Sequence, residues 1–220
     1  MSGTDTLQVK LLGLQAYEPV WQAMQALTEQ RTAETADEIW LLEHEPVFTL
    51  GRNGKQEHIL TDTDIPIINI DRGGQVTYHG PGQLIAYLMI DLKRKALGVR
   101  KMVTLIEQSI IDTLQEYQLQ AQAKSDAPGV YIGDAKIAAL GLRIKKGCSF
   151  HGLSLNLNMD LIPFQQINPC GYKGLEVVQL SDYIEDVDSV QVQQQLIFHL
   201  AKNLAYKAHF ISTDKLDFLT

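Results

Sequence analysis

Hydrophobic positions along this chain switch repeatedly between strand and helix spacing. Leu7 to Leu12 forms a first strand-like run, and Pro19 to Gln30 follows with Val20, Met24 and Leu27 at helical spacing. Ile39 to Leu42, Val47 to Leu50 and Ile65 to Ile70 are short apolar runs with strand character, the last stopping at Asp71-Arg72-Gly73-Gly74. A further β run covers Gln75 to Tyr78; Gly80-Pro81-Gly82 breaks it, and the chain resumes as the apolar segment Leu84 to Leu92. Val99 to Tyr117 is the clearest helix, with Met102, Ile106, Ile110, Leu114 and Tyr117 in one stripe. Val130 to Ile132 and Lys136 to Ile144 flank Gly133-Asp134 and predict a hairpin, because glycine supplies the positive φ of the turn. Ser149 to Met159 predicts another strand, and Val187 to Lys207 a closing helix with Val192, Leu196, Leu200 and Leu204 in register. A strand-rich centre with long helices between and after the strands implies an α/β (α+β) architecture on a mixed, largely antiparallel sheet flanked by helices.

Composition narrows the class of protein. Two hundred and twenty residues, 45% hydrophobic and 20% charged, suffice for one domain, so residues 1–220 are expected to form a single unit. A net charge of −7 argues against a general nucleic-acid binder. The two cysteines, Cys148 and Cys170, fit reduced thiols in the cytoplasm better than a secreted disulfide scaffold. The opening MSGTDTLQVK lacks the pattern of a signal peptide, and no apolar run approaches the ~20 residues of a membrane helix. No exposed coiled-coil or apolar stripe demands a partner subunit, so a monomer is expected.

Several residues are candidates for chemistry. Cys170 stands in Asn168-Pro169-Cys170-Gly171, where proline fixes φ and glycine admits a tight turn, so the thiol is expected on a sharply held loop or, alternatively, as a small buried hydrophobe. Lys136 opens a strand, and alternation puts it with Ala138, Leu140, Leu142 and Ile144. On such an apolar face a lysine has a lowered pKa and can serve as a base, unless it snorkels its amine to water. His79 and His151 each sit at a glycine-rich break and compete with Lys136 as partner of a nucleophilic cysteine. Cys148, His151 and Cys170 hint weakly at zinc, but no second close pair follows, and no metal is expected. The glycines from Arg72 to Gly82 match neither the P-loop nor G-x-G-x-x-G, so no nucleotide cofactor is implied. Lys93, Arg94, Lys95, Arg100 and Lys101 form a basic cluster, either a docking surface for an acidic partner or a solvated face.

Taken together, the stretches Asp71-RGGQVTYHGPGQ-Leu84, Ala127-PGVYIGDAKIAALGLRI-Lys145, Gly147-CSFHGLSLNLNMD-Leu161 and Ile167-NPCGY-Lys173 resemble the octanoyltransferase family of lipoate biosynthesis. The resemblance implies a catalytic domain like those of the biotin and lipoate protein ligases. It implies that Cys170 carries the acyl group and that Lys136, rather than either histidine, is its acid–base partner. The family's acyl pocket maps onto Arg72, Gly73, Gly74, Gln75, Val76, Thr77, Tyr78 and His79, onto Ala139, Leu140 and Gly141, and onto Gly152, Leu153 and Ser154. The implied donor is octanoyl-acyl carrier protein. The implied acceptors are lipoyl domains of 2-oxoacid dehydrogenase subunits and the glycine cleavage H protein, and no cofactor is needed. Rival readings are an ATP-dependent ligase of the same fold, a non-catalytic acyl-binding module and a zinc hydrolase.

Overall fold

The computed structural model describes residues 6–125 and 127–212, the side chains of Cys170 and residues 208–211 excepted. In chain order the elements are β1 (Thr6–Gln15), α1 (Tyr17–Gln30), β2 (Asp37–His44), β3 (Val47–Leu50), β4 (Ile67–Asn69), β5 (Val76–His79), β6 (Gln83–Met89), α2 (Val99–Gln115), β7 (Ala121–Ala123), β8 (Gly129–Ile132), β9 (Ala135–Lys145), β10 (Cys148–Asn156), α3 (Ser189–Asn203) and β11 (Ala208–Ser212). Eight strands form one sheet in the order β11-β1-β2-β6-β10-β9-β8-β7, and β4-β3-β5 form a small second sheet. Strand β1 runs parallel to both β11 and β2, whereas every other pairing in the large sheet is antiparallel. The mixed, mainly antiparallel sheet with flanking helices is the one the hydrophobic pattern predicts.

The central strands read as unbroken apolar runs because both faces of the sheet are covered. In β2, Ile39 and Leu41 join a core with Met102, Ile106 and Ile110 of α2 and Leu196 and Leu200 of α3. Their neighbours Trp40 and Leu42 point the other way, onto Val20 and Met24 of α1. Strand β6 divides in the same manner, Leu84, Ala86 and Leu88 against Ile85, Tyr87 and Met89. The small sheet packs Phe48, Leu50, Val76 and Tyr78 onto Met159, Phe164 and Ile167.

Several boundaries differ from the pattern for local reasons. The run expected to reach Leu92 ends as a strand at Met89, because the Asp91 carboxylate accepts from the Lys93 and Arg94 amides and turns the chain. The strand expected to reach Met159 stops at Asn156, where the amides of Leu157 and Asn158 both donate to the Gly82 carbonyl. The closing helix starts at Ser189, capped by Asp188, and ends at Asn203 rather than Lys207. Strands β7 and β11 are additions: β7 is three residues of Ala and Gln without β-branching, and β11 is recruited by β1 from the far end of the chain.

One buried carboxylate ties four segments together. Asp37 Oδ1 accepts from Arg31 at 2.5 Å, Arg94 at 2.6 Å and the Asp91 amide at 2.8 Å, while Oδ2 accepts from the Tyr206 hydroxyl at 2.7 Å. The side chains of Arg31, Arg94 and Asp37 retain 4%, 12% and 1% of their exposure, so removing the anion leaves two guanidinium groups with little access to water. Asp37→Ala is expected to cost about 3–5 kcal/mol of folding stability, read from the midpoint of urea unfolding.

Candidate active site

An open-mouthed cleft of about 500 Å³ lies over β5, β6, β9 and β10. Its walls include Arg72, Gly74, Gln75, Val76, Thr77 and His79, then Ala139, Leu140 and Gly141, then Gly152, Leu153 and Ser154. Of the residues marked out in the sequence, Gly73 and Tyr78 lie off this wall. The Gly73 amide donates to Leu142 O at 3.1 Å and so fastens the loop to β9. Tyr78 packs between Phe48 and Phe164, each with ring centroids 5.5 Å away. Tyr17, Ile85, Tyr87 and His151 complete the lining. Tyr17 and Tyr87 had no motif to flag them; strand alternation in β6 turns Tyr87 to this side only once both faces of the sheet are known.

A smaller cavity adjoins the cleft and shares Thr77, Ala139 and Ser154 with it. Lys136 lines this cavity at 4% exposure, together with Gln83, Asn156, Phe164 and Pro169. The apolar face expected for Lys136 is corrected in two respects. A bulge puts both Ala138 and Lys136 opposite consecutive residues of β8, Val130 and Tyr131, with Ile137 extra, so simple alternation fails there. The surroundings are also partly polar. The lysine's own backbone is held from outside the hairpin, its N–H donating to Glu176 O at 2.8 Å and its carbonyl accepting from Val178 N at 3.0 Å.

Cys170 lies in a 3-10 turn, Pro169–Gly171, with proline at its start and Gly171 at φ +81° just after the cysteine. The turn is pinned at both ends. Asn168 N donates to His58 O at 2.8 Å, and Tyr172 N donates to Pro169 O at 3.0 Å. A Cβ placed on Gly171 would stand 3.3 Å from Gln75 Cγ, so this backbone abuts the cleft wall. The fold thus brings the Pro169–Gly171 backbone and Lys136 to the same end of the cleft.

The two candidate histidines are committed elsewhere. His79 Nδ1 donates to Gln83 Oε1 at 2.7 Å; Gln83 Nε2 donates to Asn156 Oδ1 at 2.9 Å, and Asn156 Nδ2 to Val178 O at 2.9 Å. This chain of hydrogen bonds runs from the cleft to the segment that holds Lys136. His151, in left-handed geometry at φ +60°, donates from Nε2 to Asp71 Oδ1 at 3.0 Å, and Trp21 donates to the same oxygen. His44 Nδ1 donates to Gln15 O, leaving Nε2 to accept from the Tyr87 hydroxyl at 2.7 Å. Burial pushes all three imidazoles down, His44 to about 4 and His79 to about 3. Burial alone would raise Asp71, but the hydrogen bonds from His151 and Trp21 overcome it and hold the carboxyl at about 2.

Cys148, by contrast, is 7% exposed at the start of β10, its thiol pushed up by burial, in the neighbourhood of Asp37 and Arg31. The basic cluster also divides. Arg94 is tied to Asp37, and Lys95 donates to Ala205 O and lies over the Tyr206 ring, so both serve the fold. Exposed Lys93 sits beside Gly147, near the Cys148 end of β10. Asn156, beside Lys136, is eight residues along that strand, about 26 Å at ~3.3 Å per residue. Of the five cations, open to reading as a docking surface or a solvated face, two are thus committed to the fold, and Lys93 lies far from Lys136.

The mixed sheet with its flanking helices has the fold of the lipoate-protein ligases. Lipoate-protein ligase A bound with ATP superposes with a TM-score of 0.78 at 16% identity, over 96% of this chain and 90% of that one. A bi-partite lipoate protein ligase from Thermoplasma acidophilum gives 0.76 at 16% identity, over 96% and 88%. Biotin protein ligase from Aquifex aeolicus gives 0.53 at 13%, over 90% and 68%. At these identities the likeness speaks for the fold alone. The family model of the lipoyl protein ligase A/B catalytic domain matches residues 16–201. A Vibrio cholerae serotype O1 octanoyltransferase is 58% identical over 210 residues, 96% of this chain and 97% of its own. An octanoyltransferase from Hahella chejuensis is 59% identical over 188 residues, 86% and 84% of the two chains. The chain belongs to the octanoyltransferase family, a family of acyltransferases that carry the lipoyl protein ligase A/B catalytic domain.

The neutral histidines generate a pH dependence of stability. Each has a folded pKa below its unfolded value near 6.5, so the unfolded chain binds more protons in acid. Their contribution is complete above about pH 6.5 and is lost as the pH falls through about 4 and towards 3; Asp71 adds loss of the same sign below about pH 4. The melting temperature should fall steadily from pH 7 to 4.5, less steeply in His44→Gln. A flat profile in the wild type would contradict neutral burial of these rings.

Proposed function

We propose that the enzyme transfers an octanoyl group from a thioester on acyl carrier protein, through Cys170, to a lysine of a lipoyl domain. The observation that carries this reading is Lys136, 4% exposed, lining a cavity with Pro169 at the end of a cleft whose walls are mostly apolar. The names of relatives 58–59% identical over most of the chain supply the acyl group. The cleft accepts the alkyl chain along its mostly apolar walls.

In the first half-reaction the Cys170 thiolate attacks the thioester carbonyl. A new C–S bond forms, the carrier sulfur leaves with its electron pair, and Lys136 supplies the proton. In the second, the acceptor amine attacks the Cys170 thioester; its nitrogen loses a proton to Lys136 and the cysteine sulfur leaves as thiolate. One thioester exchanges for another, and thioester then gives amide, so the sequence runs downhill without ATP. Acceptors are the lipoyl domains of 2-oxoacid dehydrogenase subunits and the glycine cleavage H protein. The enzyme works in the cytoplasm as a single-domain monomer.

The test is intact mass of the purified protein after incubation with octanoyl-carrier protein. One octanoyl increment is expected in the wild type, none in Cys170→Ala, and slow loading, by about 10²-fold or more, in Lys136→Ala. Addition of a lipoyl domain should discharge the wild-type adduct. Transfer that needs free octanoate and ATP, and that survives Cys170→Ala, would instead establish a ligase.

A further inference from the structure

Helix α2 carries an acidic side chain on the edge of its apolar stripe. Glu107 follows Ile106, is only 9% exposed, and stands beneath the hairpin that bears Lys136. Its Oε1 accepts the Gly129 amide at 3.1 Å. Gly129 opens β8 at φ +144°, and Lys136 lies directly against it: a Cβ there would collide with Lys136 Cε and stand 3.0 Å from Nζ. The bare backbone of Gly129 is therefore the bed of the lysine side chain, and Glu107 holds that bed from below. The two charges also act on one another. Burial raises the Glu107 carboxyl, while the Gly129 amide and the Lys136 charge draw it back. Elsewhere around Lys136, the Tyr131 ring centroid is 5.3 Å from Nζ. Lys124 lies 4.5 Å from the same ring and pairs with Asp134 at 2.8 Å. Glu176 contributes its backbone carbonyl to Lys136 N.

We infer that Glu107 is a positioning residue for Lys136, anchoring the Gly129 backbone on which the lysine rests and favouring the ammonium form that donates a proton in the first half-reaction. The inference depends on the acid–base role proposed above for Lys136. Glu107→Gln keeps a carbonyl to accept from Gly129 and removes the charge, so it separates the electrostatic role from the structural one.

The measurement is the single-turnover rate of octanoyl loading onto the protein against pH, for wild type, Glu107→Gln and Lys136→Ala, alongside thermal unfolding. In Glu107→Gln the alkaline limb, where the ammonium donor is lost, should move down by roughly one to two pH units, the order expected for unit charges within about 6–12 Å at an effective dielectric near 20. Rates below that limb should stay within about twofold of wild type. A folded Glu107→Gln protein whose limb coincides with the wild-type limb, or whose rate drops equally at every pH, would overturn the inference while leaving Lys136 in its role. Loading by Lys136→Ala at the wild-type rate and profile would overturn the acid–base reading itself, and with it the role of Glu107.

Discussion

Covering both faces of β6 and β10 is the constraint on which the rest of the molecule depends. A strand buried on both sides cannot slip by one residue without exchanging its two sets of side chains; in β6 both sets are placed in cores, and in β10 one set is in a core while the other faces the cleft. The antiparallel register of β6, β10 and β9 is thereby fixed, with Gly152 opposite both Tyr87 and Gly141. That register stacks the cleft wall from three strands. It also leaves the end of the sheet bearing Gln83, Asn156 and Lys136 as the place where the polar groups collect.

Those polar groups are affordable only because nearly all have partners. His79, Gln83 and Asn156 pass hydrogen bonds in one direction, from ring to amide to amide to backbone, and Arg72 donates to Thr49 O, Thr49 Oγ1 and Gly73 O. His151 and Gln75 are exceptions on the cleft wall: His151 Nδ1 and Gln75 Oε1 are each buried without a hydrogen-bond partner among the described residues, and the His151 backbone adopts φ +60°. Unfavourable features of that kind concentrate where a structure is shaped for something other than stability.

Much of the architecture was legible in the hydrophobic pattern. The stripe Met102, Ile106, Ile110 and Leu114 is fully buried, and Gly133 has the positive φ that the hairpin required. The contiguous motifs from Arg72 to His79 and from Gly152 to Ser154 lie along the cleft except for Gly73, whose amide is fastened to β9, and Tyr78, whose ring packs with Phe48 and Phe164. Less visible were features that depend on contacts distant in sequence. The bulge at Ile137 is defined by β8 as much as by β9, and Glu107 gains significance only from the Gly129 amide 22 residues later. His44 closes an apolar run, and nothing local shows that Tyr87 will meet it. Strand β11 was missed because its only pairing described is with β1, at the opposite end of the chain.

That last pairing has a consequence for biogenesis. Strand β1 is synthesised about 200 residues before one of its two hydrogen-bonded neighbours, Ala208 to Ser212. Until those residues emerge, one edge of β1 has no partner from this chain, and an unpaired edge is a template for misassembly. Completion of the sheet therefore waits on those residues, and nascent chains arrested short of residue 208 would present β1 to chaperones or to one another.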